Sequence, residues 1–286
     1  MRFLQSFWQK LPLMVRAILI GFLVTLCGNF PWSVLTGVNL KLAPSFPWAV
    51  PAMVLYLWSY WRYLAGRGAP KSTTAVRRAS FRARCIPGSV WLWALAAGVL
   101  GLACAVTLQQ VYARFVQVPV APAPNTSGYP LFTVLCLVLM SAAVAGITEE
   151  AGFRGYMQSA IERRHGPAIA ITVAGIAFGA LHLTHGFAHT LPRLPYYFAI
   201  ALVYGAIAYL TNSILPSMVI HACGDALEFM LASWRAALHP PPPIWQSGPD
   251  RAFWVCGGLA CLFGVAAIYV YRKLGAAADV ASHDAA

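Results

Sequence analysis

Long apolar stretches alternate with short polar or basic clusters along the whole chain. Each stretch is close to the length a helix needs to cross a bilayer, about 20 residues. The first runs from about Leu11 to Phe30 and holds one charge, Arg16, whose long stem lets the guanidinium reach the near interface. Others follow at about Phe46–Trp61, Gly88–Val111, from Leu131 onward, at Pro167–Leu183, Tyr196–Leu210, Ile214–Ala232 and Ala252–Tyr271. The pattern predicts an all-α polytopic bundle of about eight spans. No small-residue cleavage pattern follows the first stretch, so it reads as an uncleaved helix rather than a signal peptide. The Pro-rich runs Pro119–Pro130 and Pro240–Pro243 predict external loops. Three segments result: spans 1–3 over residues 1–130, a core over 131–273, and a short disordered tail over 274–286.

Composition agrees with a lipid solvent. Hydrophobic residues make up 59% and charged residues 10%, against about 25% charged in soluble domains. The net charge of +12 is not a nucleic-acid signal, because the basic residues sit in short loops between apolar runs. Arg62, Arg67, Lys71, Arg77, Arg78, Arg82 and Arg84 crowd one loop, 62–84, that has no acidic residue. With eight spans, thirteen basic residues fall on the side holding both termini and five on the other. The positive-inside rule then places both termini in the cytoplasm. Seven cysteines form no CxxC pair, and most lie in apolar runs, where Cys behaves as a small hydrophobe.

Against this background a few ionisable residues are out of place. Only eight acidic residues exist, yet Glu149, Glu150, Asp225 and Glu228 lie in or beside apolar helices, as do His182 and His221. An ionisable group at membrane depth costs at least about 2.5 kcal/mol on insertion scales and is a functional candidate by default. Glu150 and Arg154 are four apart and can pair on one helix face, which leaves Glu149 available. The turn His165-Gly166-Pro167 closes an antiparallel hairpin that sets Glu149 level with His182. His221 and Asp225, also four apart, share a face. Phe178 lies one turn before His182, where its ring can cover the imidazole and exclude water.

The motifs Glu149-Glu150-x-x-x-Arg154, Phe178-x-x-x-His182 and His221-x-x-x-Asp225 occur in that order, each at a membrane helix. In these residues the chain resembles the CAAX protease and bacteriocin-processing family of intramembrane endopeptidases, also called the abortive-infection or type II CAAX prenyl endopeptidase family. The resemblance implies an eight-helix bundle and peptide-bond hydrolysis inside the membrane. It implies that Glu149 and His182 activate water and that His221, with the residue at position 225, holds the oxyanion. The family's usual residue at that last position is Asn, and this chain has Asp225.

The residue chemistry agrees. Amide hydrolysis needs a base for water, an acid for the leaving amine and a hold on the oxyanion. No GxSxG and no Cys beside a His supports a covalent route. No cofactor is expected. The alternative is a zinc ion held by Glu149, His182, His221 and Asp225, since two His plus a carboxylate form a known catalytic set. His185 and His189 flank Gly186 and read as loop histidines. Asp225 has three readings: a neutral acid that donates, a carboxylate that orients His221, or a metal ligand. The orienting role is favoured, because four-residue spacing lets the side chains meet. The expected partners are the lipid bilayer and a membrane-associated peptide or protein, without nucleic acid, in a bacterial inner membrane. The competing class is a non-proteolytic membrane protein, a bacteriocin self-immunity factor, scaffold or transporter, although no inverted repeat marks a transporter.

Overall fold

In a computed structural model, residues 7–119, 126, 128–236 and 241–283 are described. They are overwhelmingly helical, with no strand among them. Helix α1 spans Leu13–Leu42 and α2 spans Ala49–Leu64. A short α3, Thr74–Phe81, lies in the basic loop, and α4 spans Gly88–Tyr112. Helix α5, Leu131–Glu149, runs directly into a π-helical segment, Glu150–Gln158, and then into α6, Ser159–His182. After two short turns come α7, Leu194–Leu210, α8, Leu215–Ala236, and α9, Arg251–His283.

Each of the eight expected stretches is helical. Five helices are long and apolar enough to cross a membrane by length and composition, with α5 to α6 counted as one of the five. The stretch in α2 is short at 16 residues, and α8 carries His221, Asp225 and Glu228. Outward faces are apolar: Leu23, Phe30, Leu92 and Val265 are each more than 60% exposed. Such a surface belongs against lipid, and the chain is an integral membrane protein.

Two boundaries differ from the expected ones. Helix α1 does not stop at Phe30 but continues through Pro31 to Leu42. Proline cannot donate to the carbonyl four residues earlier, here that of Cys27. The Tyr56 hydroxyl of α2 donates to that carbonyl instead, and the Tyr60 hydroxyl donates to Val24 one turn away. Residues 274–283, expected as a disordered tail, continue α9 because Leu274 is fully buried and Ala277, Ala278 and Ala281 pack on the core. Of the two Pro-rich loops, residues 120–125, 127 and 237–240 lie outside the described residues.

The hairpin register is the expected one. The chain breaks helical geometry at Gly166, with φ 77°. Phe153 and Phe178, equidistant from that turn, meet edge to face with ring centres 5.5 Å apart. The basic loop is itself folded. Arg77 and Arg82 are buried, and Arg82 bridges to Glu162 at 2.8 Å and to the Ala208 carbonyl at 2.9 Å. The Arg82 carbonyl accepts from Ile214 N–H and the Arg84 carbonyl from the Ser213 hydroxyl, so this loop holds the α7–α8 turn.

Candidate active site

Glu149 and Glu150 sit where the α-helix passes into the π-helical segment. Single π-turns within α-helices recur at functional sites because they re-aim side chains. Here the two neighbours diverge. Glu150 is fully buried, and its Oε1 accepts from Arg154 at 2.8 Å and from His221 Nδ1 at 2.9 Å. Glu149 faces α1 and α8: Oε1 accepts from the Asn29 amide at 3.2 Å, and Oε2 lies 3.9 Å from His221 Nε2.

His221 is therefore gripped from one side and open to carboxylates on the other. Its Nε2 lies 3.6 Å from Asp225 Oδ2, within ion-pair range but longer than a hydrogen bond. Asp225 is expected to meet the ring directly; the carboxylate at hydrogen-bond distance from it is instead that of Glu150. Tyr204 stacks on the imidazole, with centres 4.7 Å apart and planes 12° apart, and Phe178 meets it edge on at 5.8 Å. Glu149 is 10% exposed and Asp225 27% in their side chains, against none for Glu150 and Arg154. The cluster thus has a sealed rear and a front where Glu149 and Asp225 open.

Arg154 is completely buried. It donates to Glu150 and to the Ala201 carbonyl at 3.1 Å, and its guanidinium lies 4.8 Å from the Phe178 ring centre and 5.1 Å from that of Tyr204. Phe178 is the common wall of the site. It touches Arg154, His221 and His182, the last with ring centres 4.7 Å apart. His182 Nδ1 lies 2.9 Å from the Phe178 carbonyl, which can only accept, so the proton sits on Nδ1. In the neutral ring that leaves Nε2 as the basic nitrogen. Tyr197 stacks on His182 at 4.0 Å. His182 thus joins the cluster through Phe178. Exposed His189 belongs to the turn Phe187–Thr190, as expected of a loop histidine, while the side chain of His185 lies outside the described residues.

Sequence reasoning missed Asn29, Tyr197 and Tyr204. Asn29 carried a signal, being a polar amide inside an apolar run. The tyrosines carried none, since aromatic residues are common along such helices. Among the described residues no three His, Cys, Asp or Glu side chains converge tightly enough to hold a metal ion. His221 Nδ1 is taken by Glu150, and its Nε2 lies 3.9 Å from Glu149 Oε2 and 3.6 Å from Asp225 Oδ2.

Fold and site together define a polytopic helical membrane protein with an acidic and imidazole-bearing cluster buried among its helices. Residues 131–227 match the family model of type II CAAX prenyl endopeptidase Rce1-like proteins. The matched segment contains every motif residue from Glu149 to Asp225, and the resemblance seen in the motifs is to this family. No curated protein and no solved structure matches the chain.

Proposed function

We propose that this protein is an intramembrane endopeptidase that hydrolyses a peptide bond of a membrane-associated or lipidated protein or peptide, using a water activated by Glu149 and His182 and no metal. The observation that carries this reading is Glu149 Oε2, a buried carboxylate oxygen with no hydrogen-bond partner, 3.9 Å across from His221 Nε2. A water seated between Glu149 and His182 Nε2 gives its proton to Glu149, and its oxygen attacks the carbonyl carbon. His221, donating from Nδ1 to Glu150, donates from Nε2 as well in its imidazolium form and holds the oxyanion. Glu149 then returns the proton to the leaving amine. Asp225 completes the negative surroundings of the imidazolium. The proposed orientation puts both termini in the cytoplasm and the cluster in the cytoplasmic half of a bacterial inner membrane.

The test compares membrane proteomes of cells carrying wild type and Glu149→Gln. Loss of the general base lowers turnover about 10³-fold, so an uncleaved membrane protein or peptide accumulates in the variant. Identical cleavage products at equal rates in both strains sink the mechanism. An internally quenched farnesylated peptide ending in a CAAX sequence asks the narrower question of prenyl dependence.

A further inference from the structure

Helix α1 lies outside residues 131–227, yet it reaches the cluster. Two close helix crossings clamp the end of α5. On one side, a Cβ at Gly28 would stand 2.3 Å from Thr148 Cγ2, so α1 can approach this closely only with glycine there. On the other, a Cβ at Gly146 would stand 2.9 Å from the Ala222 nitrogen and the Met218 carbonyl of α8. Glu149 follows directly and meets one neighbour from each flank: Asn29 of α1 at Oε1, and His221 of α8 toward Oε2.

The amide of Asn29 has a single orientation available. Its Oδ1 accepts the hydroxyl of Thr148, a residue wholly buried beside Glu149. With the oxygen so engaged, the NH2 faces Glu149, and rotating the amide by half a turn would oppose two oxygens. Thr148, Asn29 and Glu149 thus form a short directed chain in which each group fixes the next. The donated bond holds one carboxylate oxygen and leaves Oε2 as the oxygen aimed at His221.

We propose that Asn29 is a positioning residue of this site: its amide, itself fixed by Thr148, pins Glu149 Oε1 and so presents Oε2 to the reacting water. The inference rests on the proteolytic reading above. It assigns to the first helix a part in the chemistry and not only in packing.

The test uses the full-length protein in lipid nanodiscs. The infrared carboxyl signal of Glu149 is identified as the band lost in Glu149→Gln. Asn29→Leu keeps volume but removes the donor, and that band should shift. On the quenched farnesylated peptide, kcat should fall about 10–100-fold, the scale of a misplaced reacting group, with KM held within about twofold. Combining Asn29→Leu with Glu149→Gln should cost nothing beyond Glu149→Gln alone. Thr148→Val, which frees the amide to turn, should shift the same band in the same direction by less, and serves if Asn29→Leu does not fold. An unshifted Glu149 band in folded Asn29→Leu or Thr148→Val overturns the inference. So does unchanged kcat where Glu149→Gln is inactive, and in that case the proteolytic reading stands. Full activity in Glu149→Gln overturns both. If the peptide is not cut by wild type, the infrared shift decides alone.

Discussion

Arg77, in the basic loop, and Arg154, at the centre of the bundle, are both buried, and each guanidinium lies over an aromatic ring. Around Arg77 every nitrogen is bonded. Nε donates to Thr73, Nη1 to the Tyr63 and Arg67 carbonyls, and Nη2 to those of Gly68 and Pro70. Arg114, on the other side of the chain's loops, is equally saturated by Pro242, Ser247, Gly248 and Asp250. Around Arg154 the valences do not close. Arg154 Nε, Glu150 Oε2 and Glu149 Oε2 are buried without a hydrogen-bond partner. An unsatisfied buried polar atom costs about 1–3 kcal/mol. Arg77 and Arg114 do not carry that cost, and Arg82 of the basic loop carries it once, at Nε. The centre carries it three times within one cluster, and of the three atoms only Glu149 Oε2 belongs to the open side, where an incoming water would supply the missing partner.

The contrast can be broken first at Glu150. Glu150→Ala strips the carboxylate from a fully buried arginine and from His221 together, which should cost about 3–5 kcal/mol. Folded yield and thermal unfolding in detergent check this, and a well-folded variant with lost cleavage would move Glu150 from scaffold into the chemistry. Arg77→Ala comes next. It should lower stability by about 1–3 kcal/mol while leaving kcat on the peptide unchanged, and a fall in kcat without a fall in melting temperature would erase the distinction drawn between the two arginines. Asp225→Asn should keep activity within about tenfold of wild type, because Glu150 rather than Asp225 holds the His221 ring. A loss as large as that of Glu149→Gln would restore the orienting role to Asp225.

The smallest effect lies at Asp250, an exposed residue just before α9. The Phe253 N–H and the Arg114 guanidinium hold its carboxyl below the ordinary aspartate range. A depressed folded value means stability that is present above the unfolded value and lost as pH falls through the folded one. Acid unfolding measured below about pH 4 should therefore lose a small increment in Asp250→Asn, and an identical acid limb would show the Arg114 grip to be complete without it.

How far the sequence could see follows from the range of each contact. The pairing of Glu150 with Arg154 and the hairpin register that sets Phe153 against Phe178 depend on residues within one helix or one turn, and spacing shows both. The motif residues all fall on helices, as expected from their apolar flanks. The π-helical segment was not legible, since its extra residue per turn arises from tertiary packing. Neighbouring residues on any helix point roughly 100° apart, so Glu149 and Glu150 face different neighbours, and which of them meets the Nδ1 of His221 is decided by how α8 packs across that turn. Asn29 reaches Glu149 across 120 residues of sequence, a contact decided by the clearance at Gly28 and invisible to any local pattern. The loop 62–84 showed its charge but not its fold, because a count of basic residues does not distinguish Arg77 and Arg82, turned inward, from exposed Arg78.

The continuation of α9 past Tyr271 has a consequence for how the protein floats. Its 33 residues make a rod of about 50 Å at 1.5 Å per residue, against a hydrocarbon layer of about 30 Å. The apolar part ends at exposed Arg272 and Lys273, which form a collar where lipid gives way to headgroups. Beyond that collar the rod stands out as a mast, and buried Leu274 with the alanines at 277, 278 and 281 keeps it moored to the bundle. Standing upright, α9 is therefore about 20 Å longer than the hydrocarbon layer.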